Sequence, residues 1–281
     1  MKGLVVLLLF LTNAYSFALT DTLYIMKQQT TIGFNTTHFC CFLPENNFSR
    51  TNAGLQLGLG ETLDLTIINL DTLDHTFTID GVIGSNNVIP ALGELDVQIP
   101  QLPEGTYRFY SSPAYGRSLG ASGVLQVGYE QYKRYSWNLF ELDVSLSDSI
   151  ALGQTSTIPP GYLPSYFTIN GNFYPGTSTD TLTAISGTVN DTIIISVVNS
   201  GNTSNSFHFH GYHVTILNSN KNALQIGWIK DSMPILKEEA VTFMLVAYQS
   251  GFYPVHAHNL VATTTGGIYP GGMITTINID P

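Results

Sequence analysis

The chain carries the same plan twice. "GETLDLTIINLDTLDHTFTIDG" (60–81) and "NDTIIISVVNSGNTSNSFHFHG" (190–211) each run from a polar turn through a long strand and an Asn/Asp-rich loop to a Phe-containing strand that ends in Gly. A second pair follows in the same order. "GELDVQIPQLPEGTYRFYSSPAYGRSLGASGVLQVG" (93–128) is matched by the segment 237–279, with a strand, a G-x-Y turn, a short strand, a glycine-rich loop and a closing strand in each. Two copies of one β domain is the simplest account of such a repeat. Within each copy, "LDLTIINL" (63–70), "TIIISVVN" (192–199) and "AVTFMLVA" (240–247) are strand runs. Gly, Pro, Asn and Asp separate them at short intervals, and helical periodicity is almost absent. The expectation is an all-β protein of two sandwich or barrel domains. The repeat puts the first at 19–130 and the second at 161–281. Residues 131–160, where the pattern breaks before "IPPGYLP", read as a linker.

The first twenty residues, "MKGLVVLLLFLTNAYSFALT", have one Lys, an apolar run from Leu4 to Leu11, and small residues at Ser16 and Ala18. This is the layout of a secretory signal peptide, cleaved after about Ala18, with a core too short to span a bilayer. The expected location is secreted or periplasmic. A net charge of −10 argues against nucleic acid or an anionic membrane as partner. The two cysteines, Cys40 and Cys41, are adjacent. Neighbouring Cα atoms lie ~3.8 Å apart, closer than an ordinary disulfide accepts, so the fold is expected to stand without one. No phosphate-binding loop or nucleophile elbow is present.

Chemistry concentrates in the histidines. Of the seven, His208/His210 and His256/His258 form two H-x-H pairs. In a strand, side chains two apart share a face, so each pair presents two imidazoles to one side. Two such pairs on neighbouring strands would gather four imidazoles, a donor set that suits copper, zinc, nickel or iron, with the affinity order favouring copper. The simpler alternative is four exposed strand histidines with no ligand. His213 reads as solvent-facing rather than as a fifth ligand, and His75 as a structural or surface residue. His38, Cys40 and Cys41 lie in "HFCCF", where a soft thiolate for Cu(I) is weighed against small buried hydrophobes, which are the better reading.

"SFHFHGYHVTILN" (206–218) resembles the H-x-H-G strand of multicopper oxidases, and "GFYPVHAHNLVATTTGGIYPGGM" (251–273) resembles their final H-C-H motif with its trailing Gly-Met. The resemblance implies two tandem cupredoxin-like, plastocyanin-like Greek-key domains. It also implies that His208, His210, His256 and His258 stand where the family has ligands for half of a trinuclear copper cluster. Ala257 takes the place of the family's type 1 copper cysteine. Asn205 and Ala262 take the places of the two type 1 histidines, and Met273 matches the axial ligand. The repeat puts Thr78, Asp80, Tyr110 and Ser112 where the second domain has its four histidines, with Ser111 at the place of Ala257. The first domain therefore cannot supply the other half of a cluster, within one chain or across a homo-oligomer.

Three functions follow. The first is an exported copper-binding protein using the four histidines. The second is a copper-dependent oxidoreductase that takes electrons from a small reductant or an external electron-transfer partner. The third is a metal-free structural or interaction module. Copper is preferred to zinc as the ligand, no catalytic residue is assigned, and an oligomer is left open.

Overall fold

Thr62–Asn69 alternates in sequence, and the computed structural model, which describes residues 18–281, buries every second side chain of this strand. The leader reading, residues 1–18, lies outside the described residues except for Ala18. In chain order the first half forms β1 (Ala18–Ile32), β2 (Asn35–Leu43), β3 (Gly54–Leu57), β4 (Thr62–Asn69), β5 (His75–Thr76), β6 (Thr78–Ile79), β7 (Val88–Ile89), β8 (Glu94–Ile99) and β9 (Gly105–Tyr110). A short helix α1 (Ala114–Arg117) then leads into β10 (Ser122–Val127). Two four-stranded sheets result, in the orders β2-β1-β4-β8 and β3-β10-β9-β6. Leu23 and Ile25 of β1, Leu65 and Ile67 of β4, Phe109 of β9 and Leu125 of β10 join in one buried core between them.

The second half repeats this with longer sheets. It comprises β11 (Lys133–Leu142), α2 (Val144–Ala151), β12 (Tyr166–Ile169), β13 (Ile185–Thr188), β14 (Thr192–Asn199) and β15 (Asn205–Phe209). These are followed by β16 (Val214–Ser219), β17 (Ile229–Lys230), β18 (Ser232–Ile235), β19 (Ala240–Val246), β20 (Gly251–Ala257) and β21 (Ile274–Asp280). The sheet orders are β12-β11-β14-β19-β16-β17 and β13-β21-β20-β15-β18. The correspondence extends to pairing. β1 runs parallel to β4 as β11 runs parallel to β14. β3 lies parallel to β10 as β13 lies parallel to β21. The molecule is all-β with two cupredoxin-like domains, as the repeat predicts.

The linker reading of 131–160 is corrected. Residues 133–142 pair with β14 as the opening strand of the second domain. Trp137 through Leu142 is an unbroken buried run. That run shows no alternation because both faces of β11 are covered, one by the domain core and the other by Phe39, Cys41 and Leu43 of β2. Beyond it, Asp143 caps α2 by accepting from the Leu146 amide at 2.9 Å. α2 then packs on β2, where Thr37 Oγ1 donates to Asp148 Oδ1 at 2.9 Å. Among the described residues no helix is long and apolar enough to cross a membrane.

Candidate metal centre

β15 and β20 are antiparallel neighbours, with His208 directly opposite His256. The inward positions of β15 are Phe207 and Phe209, both fully buried, and Phe209 stacks on Trp137 with ring centroids 6.3 Å apart. Val255 and Ala257 fill the inward positions of β20. The period of two therefore sends all four histidines to the outer face of the sheet. Large apolar neighbours on one side fix the imidazoles on the other, because a one-residue slip would bury histidine and expose phenylalanine.

On that face the rings form one cluster. Centroids lie 4.5 Å apart for His208 and His210, 5.2 Å for His210 and His256, and 5.8 Å from His208 to each of His256 and His258. His210 Nε2 and His256 Nε2 approach to 3.1 Å. Two imidazole nitrogens on one tetrahedral ion at about 2.0 Å each would be about 3.3 Å apart. The 3.1 Å separation is close to that value and is equally the length of an imidazole–imidazole hydrogen bond. The other two rings flank this pair: among the described residues no three His, Cys, Asp or Glu side chains form a closed ligand set.

The rings are held from behind. His208 Nδ1 meets Ser232 Oγ at 2.9 Å, with the Asp231 carboxylate 3.8 Å away. His256 Nδ1 lies 3.0 Å from the Ala257 carbonyl oxygen. Both contacts occupy Nδ1 and leave Nε2 to face outward, the arrangement that orients metal-ligating imidazoles. Burial, and then the neighbouring His208 and His256, hold the His210 pKa below its usual value. The neutral imidazole, which is the ligating form, is thereby favoured. Ser232 and Asp231 carry no recognisable sequence signal. They reach His208 only because β18 pairs with β15, His208 opposite Ser232.

The other histidines and the cysteines fall elsewhere. His213 is exposed. His38 Nδ1 contacts Asp148 Oδ1 at 2.8 Å. His75 is fully buried, which leaves its structural reading and removes the surface one: Nε2 lies 3.0 Å from Asp71 Oδ2 and Nδ1 3.0 Å from Ser111 Oγ. Cys40 and Cys41 are buried free thiols whose pKa values burial pushes up, that of Cys41 to about 12. They are small core residues, not thiolate donors.

Inside the second domain, Ala257, Ala262 and Met273 converge through two backbone hydrogen bonds, Ala257 N to Met273 O at 2.9 Å and Met273 N to Ala262 O at 2.8 Å. Asn205 is buried beside this core, and neither of its amide atoms has a hydrogen-bond partner. No thiolate or imidazole is present at these positions. In the first domain Thr78 stands opposite Tyr110, the ladder position of His208 opposite His256. Thr78 Oγ1 bonds Ser112 Oγ at 3.0 Å, and Asp80 pairs with Arg108 at 2.9 Å. Alcohols and an ion pair thus occupy the first domain's equivalent face.

Residues 148–269 match the family model of multicopper oxidases. No curated protein matches the chain by sequence. The solved structures similar to it include a blue copper oxidase from Nitrosomonas europaea, 20% identical with a TM-score of 0.77, covering 94% of this chain and 86% of that one. A multicopper oxidase designated mgLAC is 18% identical with a TM-score of 0.76, covering 94% of this chain and 87% of that one. A copper nitrite reductase from Nitrosomonas europaea is 14% identical with a TM-score of 0.70, and covers 94% of each chain. At these identities the structural likeness speaks for the fold.

Proposed function

We propose that this chain, a two-domain cupredoxin-fold protein with a multicopper oxidase match across its second half, is an exported copper-binding protein that holds copper through His208, His210, His256 and His258. The observation that carries the reading is the 3.1 Å approach of His210 Nε2 to His256 Nε2 on paired strands. Ser232 and the Ala257 carbonyl turn the Nδ1 atoms of His208 and His256 inward. Copper is preferred to zinc because it binds a given imidazole set more tightly among divalent ions. A bound copper ion would supply a redox-active, Lewis-acidic centre on this face. The residues bind and orient. His210 and His256 form the initial pair, His208 and His258 flank it, and Ser232 fixes the tautomer of His208.

Binding is favoured over turnover because neither domain supplies a thiolate copper centre for electron entry. Ala257 stands at that position in the second domain and Ser111 in the first. The test is metal content per chain on exported protein, in the natural sequence and in the His208→Ala/His256→Ala double variant. One or two copper ions per chain, lost in the variant, is the expected result. Equal copper in both proteins, or none after loading, would sink the proposal. N-terminal sequencing of the same preparation should begin at about Leu19.

A further inference from the structure

The two domains meet through buried polar contacts, including Thr106 Oγ1 to Thr242 Oγ1 at 2.7 Å and Gln126 Nε2 to Ser196 Oγ at 2.7 Å. Beside this seam they part to leave a cleft of about 200 Å³. Its walls include Asn52 and Gln56 of the first domain and Arg134, Ser136, Asn138 and Asn170 of the second, and no Asp or Glu lines it. In a chain with 20 acidic and 10 basic residues, a cleft whose only ionised wall is a cation stands out. The Arg134 guanidinium donates from Nη1 to the Gly128 carbonyl at 3.2 Å and from Nη2 to Gln56 Oε1 at 2.9 Å. Neither partner carries charge, and about three of its five N–H donors remain uncommitted.

A smaller space shares Asn52 and Asn138 with this cleft and is lined by Arg50. Arg50 Nη1 is buried with no hydrogen-bond partner, and its guanidinium lies 6.0 Å from the Phe173 ring centroid. Neither arginine forms an ion pair with a described carboxylate. That smaller space is only about 10 Å³, room for a single water at most, so it is not part of an anion site. The neutral donors of the cleft fit as well. The side-chain amides of Asn52 and Asn138 each commit one N–H to a carbonyl, of Gly120 and Ser122 respectively, which leaves the second N–H of each group, whereas Asn170 donates to both the Ser136 carbonyl and Thr183 Oγ1. The cleft equals about seven waters at ~30 Å³ each. That is room for a small anion, not for a nucleotide or an oligosaccharide.

We propose that this inter-domain cleft binds a small oxyanion, with Arg134 as its cationic contact and the Asn52 and Asn138 amides as neutral donors. The site is separate from the histidine face, and its test does not depend on copper. Calorimetric titration of the full chain with succinate and with sulfate should give saturable one-site binding of at least one of them. Succinate alone would identify an organic carboxylate site, and sulfate alone an inorganic oxyanion site. Arg134→Gln should weaken binding at least tenfold while leaving the copper content unchanged. Succinamide, uncharged and of similar shape, should not bind. The proposal fails if neither anion gives a saturable signal, if a folded Arg134→Gln chain binds as tightly as the natural one, or if succinamide binds as tightly as the anion that does bind. The succinamide comparison uses the unaltered chain, so it decides even where a variant does not fold.

Discussion

Ala257 lies between two histidines and points the opposite way, into the core. Its neighbours Asn205, Ala262 and Met273 are also buried there. A His₂Cys set with a weak axial Met is what makes a blue copper centre, and Met273 is the only such donor among these four residues. Copper loading of the natural chain should therefore give no blue absorption, whereas Asn205→His/Ala257→Cys/Ala262→His should gain it. A blue band in the natural chain would overturn this assignment of positions. Glu141 is a second informative residue. It is buried, and burial raises its pKa to about 7 against the pull of the Asn202 and Thr203 amides on its carboxylate. From about pH 4.3 to 7 the folded state keeps a proton that the unfolded state has released, so stability falls as pH rises. The loss is absent below that window and complete above it, on the order of 3 kcal/mol. Glu141→Gln should accordingly stabilise the chain at pH 8 and much less at pH 4.5. Equal unfolding-temperature differences at the two pH values would contradict this.

At the scale of elements, the histidine face depends on how β15 ends. Gly211 closes that strand with φ +73°, and a Cβ there would sit 2.5 Å from the Tyr253 ring. Gly81 ends the equivalent strand of the first domain with φ +74°, and a Cβ there would meet open space. Gly81→Ala should cost only the left-handed backbone, about 1–2 kcal/mol. Gly211→Ala should cost more and weaken copper binding as well, since Tyr253 belongs to β20, the strand that carries His256. Urea denaturation of the two variants side by side measures the difference, and equal losses would show that Tyr253 yields freely. β18 contributes through Ser232. Removing its hydroxyl in Ser232→Ala frees His208 Nδ1 and should weaken copper affinity about tenfold with little change in stability. Unchanged affinity would mean that Ser232 does not orient the ring.

At the scale of the whole molecule, the metal face lies outside both cores. The first-domain apolar core runs from Leu23 to Ile150 and the second from Trp137 to Ile279, whereas His208, His210 and His256 are only half-buried and His258 is exposed. Chelation of the copper-loaded protein should therefore leave near-ultraviolet circular dichroism unchanged. It should lower the unfolding temperature only through the lost binding free energy, which scales with the logarithm of free copper over its dissociation constant. Collapse of tertiary structure on chelation would show that the metal is part of the fold. The domains themselves are joined by a polar seam and by a small apolar contact of Val124, Val198 and Ala240. Gln126→Ala would leave the Ser196 hydroxyl buried without its partner, at a cost of about 1–3 kcal/mol.

Much of this architecture was legible in the residues. Period-two alternation marks β4, and the duplicated 60–81 and 190–211 segments align strand for strand, so that Thr78 replaces His208 at the same ladder position. The spacing of His208/His210 and His256/His258 sets their shared face, because in a strand the direction of a side chain follows from its parity alone. β11 was not legible as a strand, since a strand covered on both faces loses the alternation that identifies it. Ser232 behind His208, the 3.1 Å nitrogen pair, the buried setting of His75 and the cationic cleft between the domains were not legible either. Each brings together residues separated by tens of positions in the chain. Such meetings depend on which strands pair and how the sheets pack, so only the tertiary structure decides them.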